Sequence, residues 1–160
     1  MAKNKVVLFF GCGAILLALI IVLSAVFLPR LAAKREMKAL LEKAISDAPI
    51  HVTYTDPRYE NEGLLAGEGR ETQLDGELLV GVRASLSLLC EDFSFARSSR
   101  KSVSGLDKRL WVKTAEGENV QLYFTETSFY YVEGERTYYF TPDDATSYAA
   151  LLAALDAALQ

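Results

Sequence analysis

The hydrophobic pattern divides the chain into an apolar N-terminal part and a longer part in which apolar and polar positions interchange. Residues 6–28 form an uncharged, mostly apolar run that follows Lys3 and Lys5. A helix rises about 1.5 Å per residue, so about 20 residues cross the roughly 30 Å hydrocarbon core of a bilayer. The run therefore predicts a single membrane-spanning helix after a short basic tail over residues 1–5.

Two processing events would change this segment. A signal-peptide core has about 7–15 apolar residues, which is shorter than this run, and residues 31–33 are a poor cleavage site. Cys12 follows a Phe-Phe-Gly sequence that loosely resembles a lipid-attachment site, but too few apolar residues precede it. We expect an uncleaved signal-anchor, and a cleaved signal peptide is the alternative.

Basic residues flank both ends of the predicted span. Two lysines precede it, and five basic residues follow it closely: Arg30, Lys34, Arg35, Lys38 and Lys43. The positive-inside rule alone would keep the following domain in the cytoplasm. Long domains translocate largely regardless of charge, however, and a basic leader, one apolar run and a globular domain are typical of signal-anchored proteins. We expect the domain on the extracytoplasmic side.

Small residues along the spanning helix raise the question of self-association. Gly11, Ala14 and Ala18 lie near one helix face, and the last two have the small-xxx-small spacing that lets membrane helices approach closely. The interpretations are a weak homodimer through these residues and a lone anchor of ordinary composition.

A basic stalk helix is predicted over residues 29–48, ending at Pro49. Its apolar residues follow helical spacing at Met37, Leu40, Leu41, Ala44 and Ile45. Its basic side chains could lie on anionic headgroups, or its apolar stripe could pack on the domain that follows. Both interpretations stay open at this stage.

The remaining residues, 49–160, predict one α+β domain with a mostly antiparallel sheet covered by helices. Strands are expected at 50–55, 93–96, 109–114, 119–125, 128–132 and 136–140. A helix is expected at 75–90, with Asp75 as its cap and a strand as the alternative. Residues 60–70 are expected to form a loop or an irregular hairpin, and residues 98–105 a loop. A last helix is predicted to begin with Thr141 as N-cap and Pro142 at the first helical position.

Composition and charge exclude several classes of protein. The 160 residues are 51% hydrophobic, 24% charged and 11% aromatic, which excludes general disorder. Residues 1–43 carry seven Lys/Arg and two Asp/Glu, a net charge of +5. Residues 44–160 carry ten Lys/Arg and nineteen Asp/Glu, a net charge of −9. An acidic domain does not favour nucleic acid. Two cysteines and one histidine exclude a disulfide scaffold and any site that needs two histidines.

Two short patterns resemble enzyme motifs without completing them. Ser98 and Lys101 match the Ser-x-x-Lys of penicillin-recognising enzymes, but the Ser-Asp-Asn and Lys-Thr-Gly motifs are missing. His51 and Cys90, with Arg83, Arg97 or Arg100, follow the residue order of sortases, but acids beside Cys90 would raise its thiol pKa.

The acidic segment between the strand predicted at 50–55 and the helix predicted at 75–90 is the one candidate for a metal site. Its carboxylates, Glu60, Glu62, Glu68 and Glu71, lack the regular spacing of a calcium loop. The sequence therefore predicts no enzyme and no catalytic, cofactor-binding or metal-binding residues.

Tyrosines in the predicted meander are the candidate interaction surface: Tyr123, Tyr130, Tyr131, Tyr138 and Tyr139. Successive strand residues point to opposite faces, so consecutive tyrosines place rings on both sides of the sheet. One face would pack under helices, and the other would present rings and hydroxyls suited to a protein or a sugar. Cross-strand aromatic pairing for stability is the alternative.

A strand, a Tyr-rich hairpin and a Leu-rich helix follow one another near the C-terminus. The residues that carry this order are 111–114, 120–124, 138–140, Tyr148 and 151–152. In this order, over roughly residues 50–160, the chain resembles small uncharacterised membrane-anchored extracytoplasmic domains of Gram-positive bacteria. The resemblance implies a cell-envelope location and a non-catalytic domain, and it names no ligand.

The sequence therefore favours a non-enzymatic, single-pass membrane protein with an extracytoplasmic binding or interaction domain. Its expected partners are the membrane, through residues 6–28, and an envelope protein or glycan. No cofactor is expected. The alternative is a membrane-bound regulatory protein whose domain lies in the cytoplasm.

Overall fold

The structure, a computed structural model, describes the backbone of residues 2–46, 49–54, 70–100, 107–113 and 117–159. The side chains of residues 2–16, 53, 54, 70, 71 and 159 lie outside the described set. The chain forms two compact units, residues 1–35 and 36–160. The first residues of the second unit belong to the predicted stalk helix.

Helix α1 (Ala2–Ile45) contains the predicted membrane span and most of the predicted stalk, with Pro29 inside it. Large apolar side chains between Leu17 and Leu31 are exposed. Within the second unit, the stripe of Met37, Leu41 and Ala44 is buried, so this part of α1 packs on the domain. The helix ends at Ile45, before Pro49, and the Ser46 hydroxyl donates a hydrogen bond to the Lys43 carbonyl at 2.7 Å.

Seven antiparallel strands form one sheet in the order β2-β1-β4-β5-β6-β7-β3. Their bounds are β1 Ile50–Tyr54, β2 Arg70–Gln73, β3 Phe93–Arg100, β4 Lys108–Lys113, β5 Asn119–Phe124, β6 Phe129–Glu133 and β7 Arg136–Pro142. In the described part of the chain, helices α2 (Gly76–Glu91) and α3 (Ala145–Leu159) are the remaining elements, and they pack on each other. The predicted α+β class is confirmed.

Alternation along the strands gives the sheet an apolar inner face. Cross-strand neighbours such as Val52, Leu110 and Leu122 are all fully buried and lie in one register row. At the other side of the sheet, Phe93 meets Phe129 and Phe140 edge-on, with ring centroids 5.7 and 5.5 Å apart. Aromatic pairs prefer this geometry, and it fills the core where β6, β7 and β3 lie side by side.

Helix α3 is fixed to the inner face through Tyr148. Its ring lies 6.1 Å from that of Phe129, and its hydroxyl lies 2.8 Å from the Thr125 carbonyl and 2.6 Å from the Ser128 carbonyl. Burial raises the pKa of the Tyr148 hydroxyl, so it stays protonated and can donate to this β5–β6 turn. Leu151 and Leu155 continue the buried stripe.

The start of α3 differs from the prediction. Strand β7 continues through Thr141 and Pro142, which pair with Ser94 and Phe93. The cap is instead Asp144, whose carboxylate accepts hydrogen bonds from the Thr146 N–H at 2.9 Å and from the Ser147 hydroxyl. Long-range strand pairing overrides the local signal of a Thr-Pro helix start.

Three other elements refine the sequence prediction. Strand β3 extends through residues 98–100, which were expected in a loop, because they pair with β7. Strand β2 begins at Arg70, the last residue of the segment expected as a loop or an irregular hairpin, and it pairs antiparallel with β1. Helix α2 confirms the helical interpretation of residues 75–90; Asp75 occupies the N-cap position without making a side-chain cap hydrogen bond.

Candidate interaction surface

The strand register assigns the five candidate tyrosines to opposite faces of the sheet. Tyr131 and Tyr138 are cross-strand partners on the inner, helix-covered side, with rings stacked 5.1 Å apart. Tyr123, Tyr130 and Tyr139 lie in register on the other side, here called the outer face. The consecutive tyrosines thus place rings on both faces, and three of the five share one surface.

The outer-face tyrosines form a row flanked by two arginines. Across the sheet, the register runs from Arg97 on β3 to Tyr139, Tyr130 and Tyr123, and then to Arg109 on β4. The Tyr123 and Tyr130 rings stack at 4.8 Å and the Tyr130 and Tyr139 rings lie 4.9 Å apart. The Arg97 guanidinium lies 4.7 Å from the centre of the Tyr139 ring, a cation–π contact.

Tyr130 supports the centre of this row and is not itself accessible. It has 0% relative exposure, and its hydroxyl donates a hydrogen bond to Asp107 Oδ2 at 2.6 Å. Burial, followed by the Asp107 hydrogen bond, raises the pKa of the Tyr130 hydroxyl well above its ordinary value. Tyr131 is also buried, so among the five tyrosines only Tyr123, Tyr138 and Tyr139 are partly exposed.

A second aromatic pair lies on the outer face near β1. His51 and Trp111 are direct cross-strand partners with ring centroids 5.4 Å apart, and both are partly exposed. The Trp111 indole N–H donates to Asn119 Oδ1 at 3.2 Å, and the Tyr123 hydroxyl donates to Gln121 Oε1 at 3.0 Å. Both donated hydrogens are therefore taken by side-chain oxygens of strand β5.

The outer face carries charged groups of both signs. Among the described strands, its register positions hold three basic residues, Arg97, Arg109 and Lys113, and one acidic residue, Glu71 on edge strand β2. Two further carboxylates, those of Asp107 and Asp143, accept hydrogen bonds from the outer-face residues Tyr130 and Ser94. The chain from residue 44 onward carries −9 overall. The outer face is therefore an aromatic surface of mixed charge on an acidic domain. Alternation along β4 puts Arg109 and Trp111 on the same face of the sheet, and this is the sequence signal that could have predicted the surface.

The fold separates His51 from Cys90. His51 lies on the outer face against Trp111, whereas Cys90 lies at the end of α2 among the helices of the inner side. The Cys90 thiol is buried, and its pKa is raised by burial and by the charge of Glu42, which opposes the thiolate a nucleophile needs. The sortase-like combination is not assembled.

The other chemical candidates receive little support from the described residues. Ser98 is an exposed residue of strand β3, opposite Tyr138, and Lys101 lies outside the described residues. Glu60, Glu62 and Glu68 also lie outside them, and Glu71 is described only through its backbone in β2. Within the described part of the chain, no group of three His, Cys, Asp or Glu residues could hold a metal ion.

The N-terminal helix is a candidate membrane span or signal sequence. From Leu17 onward it is long and apolar enough to cross a bilayer, and its apolar side chains are largely exposed. The side chains of Gly11 and Ala14, which the homodimer hypothesis requires, lie outside the described set. No protein-family model, curated protein or solved structure matches this chain.

Proposed function

We propose that this protein is a non-enzymatic binding module, anchored in the cell membrane by one N-terminal helix, with its domain on the extracytoplasmic side. Residues 6–28 form the anchor, and the outer face of the sheet is the binding surface. The proposal assigns the inner face to folding and the outer face to a partner. It places the protein in the cell envelope, as the resemblance noted above implies.

The observation that carries this proposal is the chemical difference between the two sheet faces. The inner face is apolar and lies under helices, as stability requires. The outer face carries partly exposed aromatic rings and basic side chains, residue types that contribute most to protein interfaces. Core packing does not account for Arg97 over Tyr139 or for the partly exposed Trp111.

The chemistry of the candidate nucleophile also favours a non-catalytic role. The raised pKa of the Cys90 thiol disfavours nucleophilic attack, and Cys90 and His51 lie on opposite sides of the sheet. The alternative function is a membrane-bound regulatory protein whose domain binds a cytoplasmic partner. The basic residues after the span, including Arg30 and Lys34, favour that alternative.

Membrane topology separates the two functions. An alkaline phosphatase reporter, active only outside the cytoplasm, is fused after Gln160, and a parallel fusion carries a reporter active only in the cytoplasm. The proposal expects phosphatase activity in cells, with the intact fusion in the membrane fraction. Activity of the cytoplasmic reporter alone would refute the extracytoplasmic assignment.

A charge variant shows why the orientation is adopted. Lys34→Gln/Arg35→Gln removes two positive charges after the span and leaves residues 36–160 unchanged. If the wild-type phosphatase fusion is silent and this variant is active, the positive-inside rule holds the native domain in the cytoplasm. The regulatory alternative would then replace the proposal.

A further inference from the structure

Helix α2 has one face that the domain leaves exposed. We propose that this face binds an amphipathic helix of a partner protein, one whose apolar stripe is flanked at both ends by lysine or arginine. Helix α2 packs on α3, which covers the inner side of the sheet, so this is a second surface, separate from the outer face. It does not depend on which side of the membrane the domain occupies.

The exposed apolar side chains of the domain are concentrated on this helix. Among the described residues of the second unit, the exposed large hydrophobic side chains are Leu78, Val80 and Leu88, at 38%, 68% and 59%. Single exposed hydrophobic residues are common on proteins, whereas several on one element mark an interaction site. The opposite side of α2, with Val82 and Leu86, is buried in the core.

The exposed face has the spacing of a helix-packing seam. Positions 77, 81, 84, 88 and 91 lie four and three residues apart in turn, which places them in one line along α2. The three middle positions are Gly81, Ala84 and Leu88. Short side chains at the first two let a second helix approach closely, and Leu88 supplies apolar contact area.

Gly81 is not explained by the packing of the domain itself. Its φ is not positive, so the backbone conformation does not require glycine. Among the described residues outside its own turn of the helix, no atom lies within 4 Å of the place that a Cβ would take. Glycine is nevertheless the least favourable residue after proline in a helix interior. A residue that weakens α2 without serving a contact inside the domain is expected where a partner needs close approach to the helix.

Glu91, at the end of the seam, also weakens the helix. It lies in the last turn of α2, where the helix dipole favours a basic side chain, and this turn has none. Glu77 lies at the other end of the seam, and both residues are exposed. Fourteen residues at about 1.5 Å each separate the two by about 21 Å. A partner helix with basic residues about four turns apart can therefore pair with both.

The charges of α2 and its flanking residues make both ends of the face acidic. Arg83 is the one basic residue between positions 75 and 92. Its guanidinium donates to the Ser46 carbonyl at 2.6 Å, so it is engaged with the end of α1. Four exposed acidic residues mark the two ends of the helix: Asp75, Glu77, Glu91 and Asp92.

The elements packed against α2 do not reverse this balance. On α1, Lys38 and Glu42 both act on the thiol at the end of α2, one charge of each sign. The charged residue of α3 is Asp156, which pairs with Lys108 at 3.1 Å. Asp143 lies beside the end of α2, because its N–H donates to the carbonyl of the C-cap residue at 3.1 Å. A basic partner is therefore attracted to this face.

The same carboxylates disfavour two other occupants. A second copy would bring Glu77 and Glu91 beside like charges, whether the two helices ran parallel or antiparallel. A bilayer would bury these carboxylates or repel them through its anionic headgroups. The face therefore favours a basic helix over a second copy or a lipid surface.

The test measures peptide binding by fluorescence anisotropy to the full-length protein in nanodiscs of zwitterionic lipid, with empty nanodiscs as the blank. The probe is a fluorescein-labelled synthetic helix of about 18 residues, with alanine and leucine along a seam and lysine at both ends. A matched peptide carries glutamate in place of lysine. The protein variants are Gly81→Leu and Glu77→Gln/Glu91→Gln. The matched control, Glu126→Gln/Glu135→Gln, removes the same charge from exposed positions in the turns of the sheet.

We expect the lysine peptide to bind and the glutamate peptide not to bind. Gly81→Leu should weaken binding at least about tenfold, because a leucine in the seam keeps the partner helix away. The same variant should raise the urea midpoint, followed by Trp111 fluorescence, by about 0.4 M, because leucine favours a helix more than glycine does. Glu77→Gln/Glu91→Gln should weaken binding about fivefold, because exposed ion pairs are individually weak, and the control less than about twofold.

Other results would overturn the inference. Lysine-peptide binding no greater than the blank, or equal binding of the glutamate peptide, would exclude a basic helix as the occupant. Unchanged binding by Gly81→Leu would place the peptide elsewhere, and equal loss in the control variant would show a response to net charge alone. Disulfide cross-linking that Ala84→Cys adds between two chains would make the occupant a second copy. Quenching of Leu88→Trp/Trp111→Phe fluorescence by brominated lipid would make it the bilayer.

Discussion

The hydrogen bond between Tyr130 and Asp107 tests the organisation of the outer face. The Tyr130 ring is fully buried between Tyr123 and Tyr139, and its hydroxyl donates to Asp107 Oδ2 at 2.6 Å. Tyr130→Phe keeps the ring and deletes only this bond. Hydrogen bonds to charged groups contribute about 1.5–3 kcal/mol, so we expect a loss of about 2 kcal/mol in the free energy of unfolding.

The protein supplies its own spectroscopic probe for this measurement. Trp111 is the only tryptophan and is partly exposed on the outer face, so its fluorescence reports unfolding of the sheet. Urea titration of the full-length protein in detergent gives the midpoint for each variant. With a slope of about 2 kcal/mol per M urea, Tyr130→Phe should lower the midpoint by about 1 M.

Tyr123→Phe is the matched control for the loss of a hydroxyl. The Tyr123 hydroxyl is bonded to Gln121 two residues away on the same strand, and the residue is partly exposed, so its loss should cost less than about 0.5 kcal/mol. Asp107→Asn and the double variant Tyr130→Phe/Asp107→Asn complete a mutant cycle. A Tyr130→Phe midpoint equal to that of Tyr123→Phe, or fully additive losses in the cycle, would refute the reasoning.

Three further predictions concern the core and the helix cap. Burial raises the pKa of the hydroxyls of Tyr130, Tyr131 and Tyr148 above the ordinary value of 10.0, so these groups bind protons in the folded state that the unfolded state releases. Stability should be constant near neutral pH and begin to fall above pH 9.0, where the unfolded state loses the Cys90 thiol proton that the folded state retains. It should fall more steeply above pH 10.0, by about 1.4 kcal/mol per pH unit for each such tyrosine, and urea midpoints measured at rising pH check this. Tyr148→Phe should cost about 1 kcal/mol and Tyr148→Ala about 3–5 kcal/mol, because the ring fills the core beside Phe129; equal urea midpoints for the two would contradict the packing described. Asp144→Ala should destabilise the domain, less than Tyr148→Ala does, and Asp144→Asn should retain most of the cap. Hydrogen bonds from Ser147 and Thr146 lower the pKa of Asp144. The stabilisation that the Asp144 carboxylate provides is therefore present above its unfolded-state pKa and is lost as pH falls through its folded-state pKa. Thermal melts of wild type and Asp144→Ala should converge at low pH, which checks the sign.

Local patterns in the sequence were sufficient for most elements of the fold. The uncharged run over residues 6–28 predicts a long apolar helix because its length matches a bilayer, and α1 contains it. Alternation predicts β4 to β7 because each strand packs one face on a core. Glycine at position 134 adopts a φ of +56°, which suits the tight turn between β6 and β7.

Other elements depend on contacts between distant residues. Strand β2 and the end of β3 are polar segments without a strong alternating pattern of their own. They form strands because β2 pairs with the edge of β1 and the end of β3 pairs with the edge of β7. The same pairing draws Thr141 and Pro142 into β7 and moves the helix cap to Asp144. Local propensity is worth a few tenths of a kcal/mol per residue, so a continued ladder of backbone hydrogen bonds outweighs it.

The candidate surface also depends partly on local sequence pattern and partly on contacts between distant residues. The sequence determined by itself that consecutive tyrosines occupy both faces, because side chains alternate along a strand. Only the tertiary structure decided which tyrosines share a face, since that depends on the register of β5, β6 and β7. Strand order then places Arg97 and Arg109 at the two ends of one row, although eleven residues lie between them in sequence and three strands lie between them in space. Registers are set by packing of the whole inner face, which no local pattern contains.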